Sequence, residues 1–314
     1  MYKNRTIAVV VPSYNEEDLI SDTLKSIPQF VDRIFVVNDG SEDSTGTKID
    51  ELSQNDPRIS HILHERNKGV GAAVISGYKS SLAEEFDITV VMDGDNQMDP
   101  KYVAALLDPI VDGKADYTKG NRLLNPDYRK GMSKWRLFGN SILTILTKFS
   151  SGYWQLMDPQ NAFTAISRDV LERIDLDSVY PRYGYPNDLL AKMNVFGFRV
   201  INIPHPARYG KEKSKIKYGR YILKVSNLLL MNFFWRLKTK YILINFHPLI
   251  FFYIFGILMV PLGVIGGIYT IHNKLLFGEA LFIRGVLSAL LAIIGIQLFL
   301  FAMLFDMQME NYRI

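Results

Sequence analysis

Three short runs of polar residues in this sequence have the types and spacing to do chemistry. The first is Asp93-x-Asp95-x-Gln97, which follows the apolar run 88–92. Two carboxylates around a glycine offer hard oxygen ligands, which suit Mg²⁺ or Mn²⁺ over zinc. A cation held there can neutralise a diphosphate leaving group. The second run is Asn38-Asp39-Gly40-Ser41, and the third is Pro12-Ser13-Tyr14-Asn15-Glu16; each also follows an apolar run. Asp158 before Pro159 and Arg122 after Gly120-Asn121 add a further acid and a guanidinium. The chain has no cysteine, which excludes a disulfide framework, a thiolate nucleophile and a thiolate metal site. No G-x-G-x-x-G follows the first apolar run, which disfavours a dinucleotide-binding dehydrogenase.

The elements that must position these residues can be read from periodicity. Residues 6–12 form a continuous β-branched run, the pattern of a strand buried on both faces. Residues 16–27 are expected as a helix, 33–37 as a strand, 44–52 as a helix and 59–63 as a strand. A helix over 69–82 and a strand over 88–92 complete the alternation. Such spacing predicts an α/β domain with a mainly parallel sheet. Ligands of these sheets bind at the carboxyl ends of the strands, where all three polar runs fall.

Beyond residue 240 the chain changes character. Residues 244–271 and 285–305 contain no Asp, Glu, Lys or Arg, and each is long enough to cross a bilayer as a helix. Pro248 and Pro261 interrupt the first, and Arg284 borders the second, where it can snorkel to the interface. Nine Lys or Arg residues against one acid, Glu212, occupy residues 211–240. A basic segment beside an apolar stretch is drawn to an anionic membrane surface. The flanking charges predict both outer ends on the cytoplasmic side. Residues 7–11 are too short for the apolar core of a signal peptide.

Several stretches resemble family 2 glycosyltransferases with the GT-A fold, in the polyprenyl-phosphate branch that includes dolichol-phosphate mannose synthases. They are VVVPSYNEE, VVNDGSEDST, NKGVGAAVISGY, VMDGDNQMDP, GNR, DPQNAFTAISRDVLERI and ARYGKEKSK, spread over residues 6–220. The resemblance implies a GT-A catalytic domain over 1–215, amphipathic juxtamembrane helices over 216–243, two transmembrane helices within 244–307 and a cytoplasmic tail, 308–314. It implies that Pro12, Tyr14 and Glu16 line the base and ribose pocket, that Asp39 hydrogen-bonds the base, and that Lys68 lies near the nucleotide. By the same resemblance Asp93 contacts the ribose or donor sugar, while Asp95 and Gln97 hold the metal. Arg122 and Arg136 correspond to the pair that grips the acceptor phosphate, a task suited to a planar guanidinium. Asp158 falls in the catalytic loop, and Arg208 and Lys215 correspond to basic residues that close over the diphosphate.

The implied reaction is inverting transfer of a hexose from a nucleotide-sugar, with a UDP-sugar favoured over GDP-mannose, to a polyprenyl or dolichyl monophosphate at the cytoplasmic membrane face. No nucleic-acid partner is expected. Members of the branch with such a hairpin can assemble as tetramers, so a homo-oligomer is also an expectation. Competing readings are a polysaccharide synthase, transfer to a protein or free sugar, and a membrane scaffold keeping a vestigial nucleotide fold. The synthase reading lacks the Q-x-x-R-W element before Trp135-Arg136 or Trp235-Arg236. Two departures stand out: Asn38-Asp39 replaces two adjacent acids, and Asp158-Pro159-Gln160-Asn161-Ala162 replaces D-P-x-S-G. Alanine has poorer access to positive φ than glycine, so a different loop path is expected.

Overall fold

The computed structural model describes residues 1–125, 134–206, 218–278, 280 and 282–311. Its sheet follows directly from the apolar runs. Strands β1 (Ile7–Ser13), β2 (Arg33–Asn38), β3 (Ile59–Leu63) and β4 (Ile88–Val91) appear where expected and pair in parallel in the order β3-β2-β1-β4. The sheet continues through β6 (Thr164–Ser167), β5 (Tyr117–Asn121) and β7 (Val200–Pro204), giving seven strands among the described residues. Strand β6 runs antiparallel to both of its neighbours, and β7 runs parallel to β5.

Side chains alternate across the sheet, as a period of two requires. Val9, Val11, Ile34, Val36, Ile88 and Val90 face one layer, against helices α1 (Ile20–Ser26), α2 (Thr45–Asn55) and α4 (Val103–Val111). Ala8, Val10, Phe35, Val37 and Val91 face the other layer. There α3 (Val70–Ala83), α6 (Arg168–Arg173) and α7 (Tyr185–Phe196) supply Val74, Tyr78, Val170 and Leu189. Burial on both faces explains why these strands read as unbroken apolar runs.

Register then brings the polar runs together. Ser13 pairs with Asn38 and Asn38 with Leu63, so β1, β2 and β3 end side by side. Val10 pairs with Val91, and Gly94 N donates to Pro12 O at 3.2 Å, which sets the acid pair beside the first polar run. Because β6 is antiparallel, the segment that precedes it emerges at the carboxyl edge of β4 and β5. Asp158 reaches the same edge as Asp93 for this reason.

The first helix differs from expectation. It begins at Ile20, not at residue 16: Ile20 N donates to Glu16 O at 2.9 Å, but the neighbouring loop takes the next carbonyl, with Lys48 Nζ donating to Glu17 O at 2.7 Å, and it also holds the N–H groups before the helix. Asn15 N donates to Ser41 Oγ at 3.0 Å, Glu16 N to Thr45 Oγ1 at 2.9 Å and Glu17 N to Asp43 Oδ2 at 3.2 Å. Asn15 itself lies at φ +55, which ends any regular helix.

The chain forms two compact units, Met1–Phe234 and Trp235–Ile314. In the first, helix α5 (Lys134–Ser151) meets helix α8 (Tyr218–Lys238) through Leu143, Val225 and Leu229. In the second, a π-helical turn over Thr239–Ile244 precedes α9 (Leu249–Phe277), which packs on α10 (Phe282–Asn311). The first apolar helix therefore starts at Leu249 instead of residue 244, with Pro248 before it and Pro261 within it. Both helices are long and apolar enough to cross a membrane. Their most apolar windows are 28% and 17% buried, unlike the core helix of a soluble domain. Gly256, Gly263 and Gly295 bring the two backbones into contact; a Cβ at Gly263 would lie 2.5 Å from Ala292 N. Arg236 donates to both carboxylate oxygens of Asp306 at 2.9 Å, with both side chains wholly buried, and Tyr241 also donates to Asp306.

Candidate active site

Two knitted loops form one side of the site. Glu42 N donates to Asn15 Oδ1 at 2.9 Å, Ser44 N to Glu17 Oε2 at 3.1 Å and Lys48 Nζ to Glu17 O at 2.7 Å. These cross-bonds hold half-buried Tyr14 and Glu16 beside buried Pro12. Asn38 Oδ1 accepts from Ser41 N at 2.9 Å, so the residue that replaces the first acid caps this turn.

Asp39 is 2% exposed and faces inward. Its Oδ1 accepts from His64 Nδ1 at 2.7 Å and Lys68 N at 2.9 Å, and its Oδ2 accepts from Gly69 N at 2.8 Å. His64 Nε2 in turn meets Ser76 Oγ at 2.9 Å. The carboxylate thus holds the turn that presents exposed Lys68. Gly69 is obligatory there: its φ is +105, and a Cβ would lie 2.6 Å from Pro181 O.

The acid pair follows β4, which lies on the other side of β1 from β2 and Asp39. Asp95 Oδ1 accepts from Gln97 N at 3.1 Å, and Asn96 at φ +57 completes the bend. Asp93 N donates to Met98 Sδ, while buried Asp93 Oδ1 has no hydrogen-bond partner among the described residues. Burial and then the neighbouring Asp95 push the Asp93 carboxyl up to about 8, with Glu16 adding to the rise and Arg122 and Lys119 opposing it. Crowded carboxylates with an orphaned oxygen are what a cation relieves. No group of three or more His, Cys, Asp or Glu able to hold a metal occurs among the described residues. A divalent ion at Asp95 and Gln97 would therefore draw its remaining ligands from diphosphate oxygens and water, as Mg²⁺ commonly does.

Asp158 and Arg122 face each other at the end of β5. Arg122 Nε and Nη2 donate to Asp158 Oδ2 and Oδ1 at 2.7 and 2.9 Å, and Arg122 N donates to Oδ2 at 3.1 Å. The two side chains are 0% and 14% exposed. The Arg122 charge and these hydrogen bonds outweigh burial and hold the Asp158 carboxyl below its ordinary range. Beneath the pair lies Lys119, wholly buried, which donates to the Asn161 carbonyl. Burial lowers the Lys119 ammonium to about 7 despite the nearby Asp158 and Asp93. The loop reaches positive φ at Asp158 itself (+49), so alanine at 162 meets no strain.

The structure therefore brings Pro12, Tyr14, Glu16, Asp39, Lys68, Asp93, Asp95, Gln97, Arg122 and Asp158 to one edge of the sheet. Arg208, Lys215 and the side chain of Arg136 lie outside the described residues. Lys119, Asn161, His64 and His205 were not singled out by type or spacing, although Asn161 was visible as a departure from the loop motif. Tyr183 was also missed. Burial and then the charges of Asp93, Glu16 and Asp95 raise its phenol.

A mixed α/β sheet with an acid pair at its carboxyl edge defines the GT-A class of nucleotide-sugar transferases. Glucosyl-3-phosphoglycerate synthase from Mycobacterium tuberculosis, solved with Mn²⁺, UDP and glucosyl-3-phosphoglycerate, shares the fold at a TM-score of 0.56 and 20% identity; the match covers 74% of this chain and 80% of that one. The sequence profile of glycosyl transferase family 2 matches residues 8–175, and the chain belongs to that family. It is 31% identical over 215 residues to the UDP-N-acetylglucosamine–dolichyl-phosphate N-acetylglucosaminyltransferase of Methanococcus voltae, covering 64% of this chain and 85% of that protein. It is 32% identical over 202 residues to the polyprenol monophosphomannose synthase of Mycolicibacterium smegmatis, covering 62% and 75%. The chain is a glycosyltransferase with two C-terminal helices apolar enough to span a membrane.

Proposed function

We propose that the chain transfers a hexose from a nucleotide-sugar, a UDP-sugar in preference to GDP-mannose, to a polyprenyl or dolichyl monophosphate with inversion at the anomeric carbon. The observation that carries this reading is the buried Arg122–Asp158 pair at the same sheet edge as the Asp93–Asp95 acids. A fixed guanidinium beside a donor-side acid pair suits an anionic acceptor. The dolichyl-phosphate and polyprenol acceptors in the names of the two relatives agree with it.

A phosphomonoester has a second pKa near 6, so the acceptor is largely dianionic at neutral pH and needs no strong base. Asp158 is suited to orientation instead: it is buried, low in pKa and bonded three times to Arg122. Arg122 holds the acceptor phosphate, with Arg136 as its expected partner. Pro12, Tyr14 and Glu16 line the nucleotide pocket, and Asp39 serves it by holding the turn of Lys68 and Gly69. Asp93 lies toward the ribose or sugar, and Arg208 and Lys215 are assigned to the diphosphate. Mg²⁺ or Mn²⁺ held by Asp95 and Gln97 would supply charge neutralisation for the departing diphosphate. The protein's own contribution is alignment of phosphate and anomeric carbon, with water kept out.

The basic segment at 211–240 supports a catalytic unit on the cytoplasmic side. Leu230, Met231 and Phe234 are exposed on α8, as a helix lying in the membrane interface requires. The test is transfer from radiolabelled nucleotide-sugars to a short polyprenyl phosphate, with Mn²⁺ or EDTA, by wild type and Asp95→Ala. Metal-dependent label in the organic phase, absent in the variant, is expected. Donor hydrolysis without lipid product would refute the acceptor assignment.

A further inference from the structure

The loop that carries Asp158 is held through one residue, Asn161. Lys119 donates to the Asn161 carbonyl from the β5 strand. Asn161 N donates to Asp158 O at 3.1 Å, closing a turn on the acid. Both ends of the Asn161 side chain are engaged: Oδ1 accepts from Phe163 N at 3.1 Å, and Nδ2 donates to His205 Nε2 at 2.6 Å. His205 donates from Nδ1 to Pro206 O at 3.0 Å, which makes Nε2 the accepting nitrogen. Burial and the Arg122 charge push this imidazole down to about 4, so it stays neutral and keeps that tautomer.

Space around the contact is specified too. A Cβ at Gly120 would lie 2.6 Å from His205 Nε2 and 2.8 Å from Asn161 Nδ2, so the strand passes against the pair with no room to spare. The His205 ring packs edge-on against Phe163, with centroids 5.5 Å apart. Strand pairing explains the encounter, because Asn121 pairs with Pro204 and His205 N donates to Asn121 O at 3.2 Å. Asp158 sits at φ +49, a conformation a non-glycine residue keeps only when its surroundings over-determine it. Asn161 stands where the loop motif has serine, whose shorter side chain has a single hydroxyl. It could not at once accept from Phe163 N and reach the imidazole.

We propose that Asn161, fixed by His205 and Lys119, is a positioning residue for the Arg122–Asp158 pair and, through it, for the acceptor phosphate. The last step rests on the function proposed above. Full-length enzyme in detergent is assayed with a nucleotide-sugar and a short polyprenyl phosphate. His205→Phe keeps the ring and removes the accepting nitrogen; kcat should fall on the order of a hundredfold, the cost of a displaced reacting group. KM for the nucleotide-sugar should hold, while KM for the lipid phosphate rises. His205→Gln restores an accepting oxygen and should recover most of the loss. Asn161→Leu also frees Phe163 N and should lose at least as much as His205→Phe, and the double variant should be no worse than Asn161→Leu, because the two changes share one contact.

Hydrogen exchange over residues 158–163 provides a second readout, faster in His205→Phe with β1 and β2 unchanged. Wild-type kcat in His205→Phe, failure of His205→Gln to rescue, or multiplying losses in the double variant would each overturn the proposal. Absence of any lipid transfer by wild type would refute the proposed function instead. The exchange measurement then decides the loop on its own, and unchanged exchange in His205→Phe would overturn it.

Discussion

Replacing Asp158 separates orientation from base catalysis. The carboxylate accepts three hydrogen bonds from Arg122, and neither side chain is more than 14% exposed. Removing one partner of such a buried pair costs about 3–5 kcal/mol, because the other charge is left uncompensated. Asp158→Asn keeps an amide oxygen that can accept one bond, worth about 1 kcal/mol. The expected destabilisation is therefore about 2–4 kcal/mol for Asn, against about 3–5 kcal/mol for Ala.

The pH sign follows from the lowered carboxyl. Its stabilisation is complete above the unfolded value near 3.8 and is lost as pH falls through the lower folded value. The wild-type advantage over Asp158→Asn should be level from neutral pH down to about 5 and shrink below about 4. Denaturant unfolding in detergent, followed by Trp fluorescence, measures it. In the transfer assay Asp158→Asn should lower kcat while leaving the shape of the pH–rate profile unchanged. Arg122→Ala combined with Asp158→Ala should lose little more than Arg122→Ala alone. An acid limb that disappears in Asp158→Asn, or losses that multiply in the double variant, would refute the orienting role and assign Asp158 as the base.

Three other perturbations probe the frame of the site. Lys119→Met removes a buried ammonium lowered from 10.5 to about 7, a penalty on the charged form of at most roughly 5 kcal/mol. Below pH 7 the lysine is charged in both states and the penalty is whole. Above it the folded state alone sheds the proton and the penalty fades. Lys119→Met also loses the bond to the Asn161 carbonyl, so its net effect on stability should be more favourable at pH 6 than at pH 9, and equal effects would show that Lys119 does not titrate there. In the C-terminal unit, Asp306→Leu should lower the melting temperature in detergent, since wholly buried Arg236 would cost about 3–5 kcal/mol unpaired; adding Arg236→Met should recover it. Gly77→Ala would put a Cβ 2.3 Å from Val10 Cγ1 and should cost about 1–3 kcal/mol by overpacking. Its donor KM should be unchanged in the folded fraction.

Much of the frame was legible because burial on both faces writes strands as apolar runs. Strands β1 to β4 and helices α2 and α3 fall within a few residues of expectation, and the polar runs at the strand ends converge as the carboxyl-edge rule requires. The start of α1 was not legible. Lys48, from the neighbouring loop, takes the Glu17 carbonyl that a helix from residue 16 would use, an arrangement local helix propensity does not register. Strands β5 to β7 also escaped notice. Strand β6 is four residues long, and β5 (Tyr-Thr-Lys-Gly-Asn) buries a lysine and an asparagine where a core strand would show apolar side chains.

That second failure has the same physical origin as the site. Strand β5 looks polar because it is built for Asp158: Lys119 holds the loop carbonyl, Gly120 clears space for His205 and Asn161, and Arg122 takes the carboxylate. Each of these partners lies more than thirty positions away: the antiparallel β6 delivers its preceding loop to the carboxyl edge, and β7, parallel to β5, delivers His205. Residue type could mark Arg122 and Asp158 separately as anion binder and acid. Their pairing changes both assignments, since a carboxylate that accepts two bonds from a guanidinium and a third from the same residue's backbone N–H is a poor base and a good clamp. The departures from the family motifs fit the same logic. Asn38 caps the turn of Ser41, and Asn161 ties its loop to His205, so at both places a neutral amide does structural work beside a single retained acid.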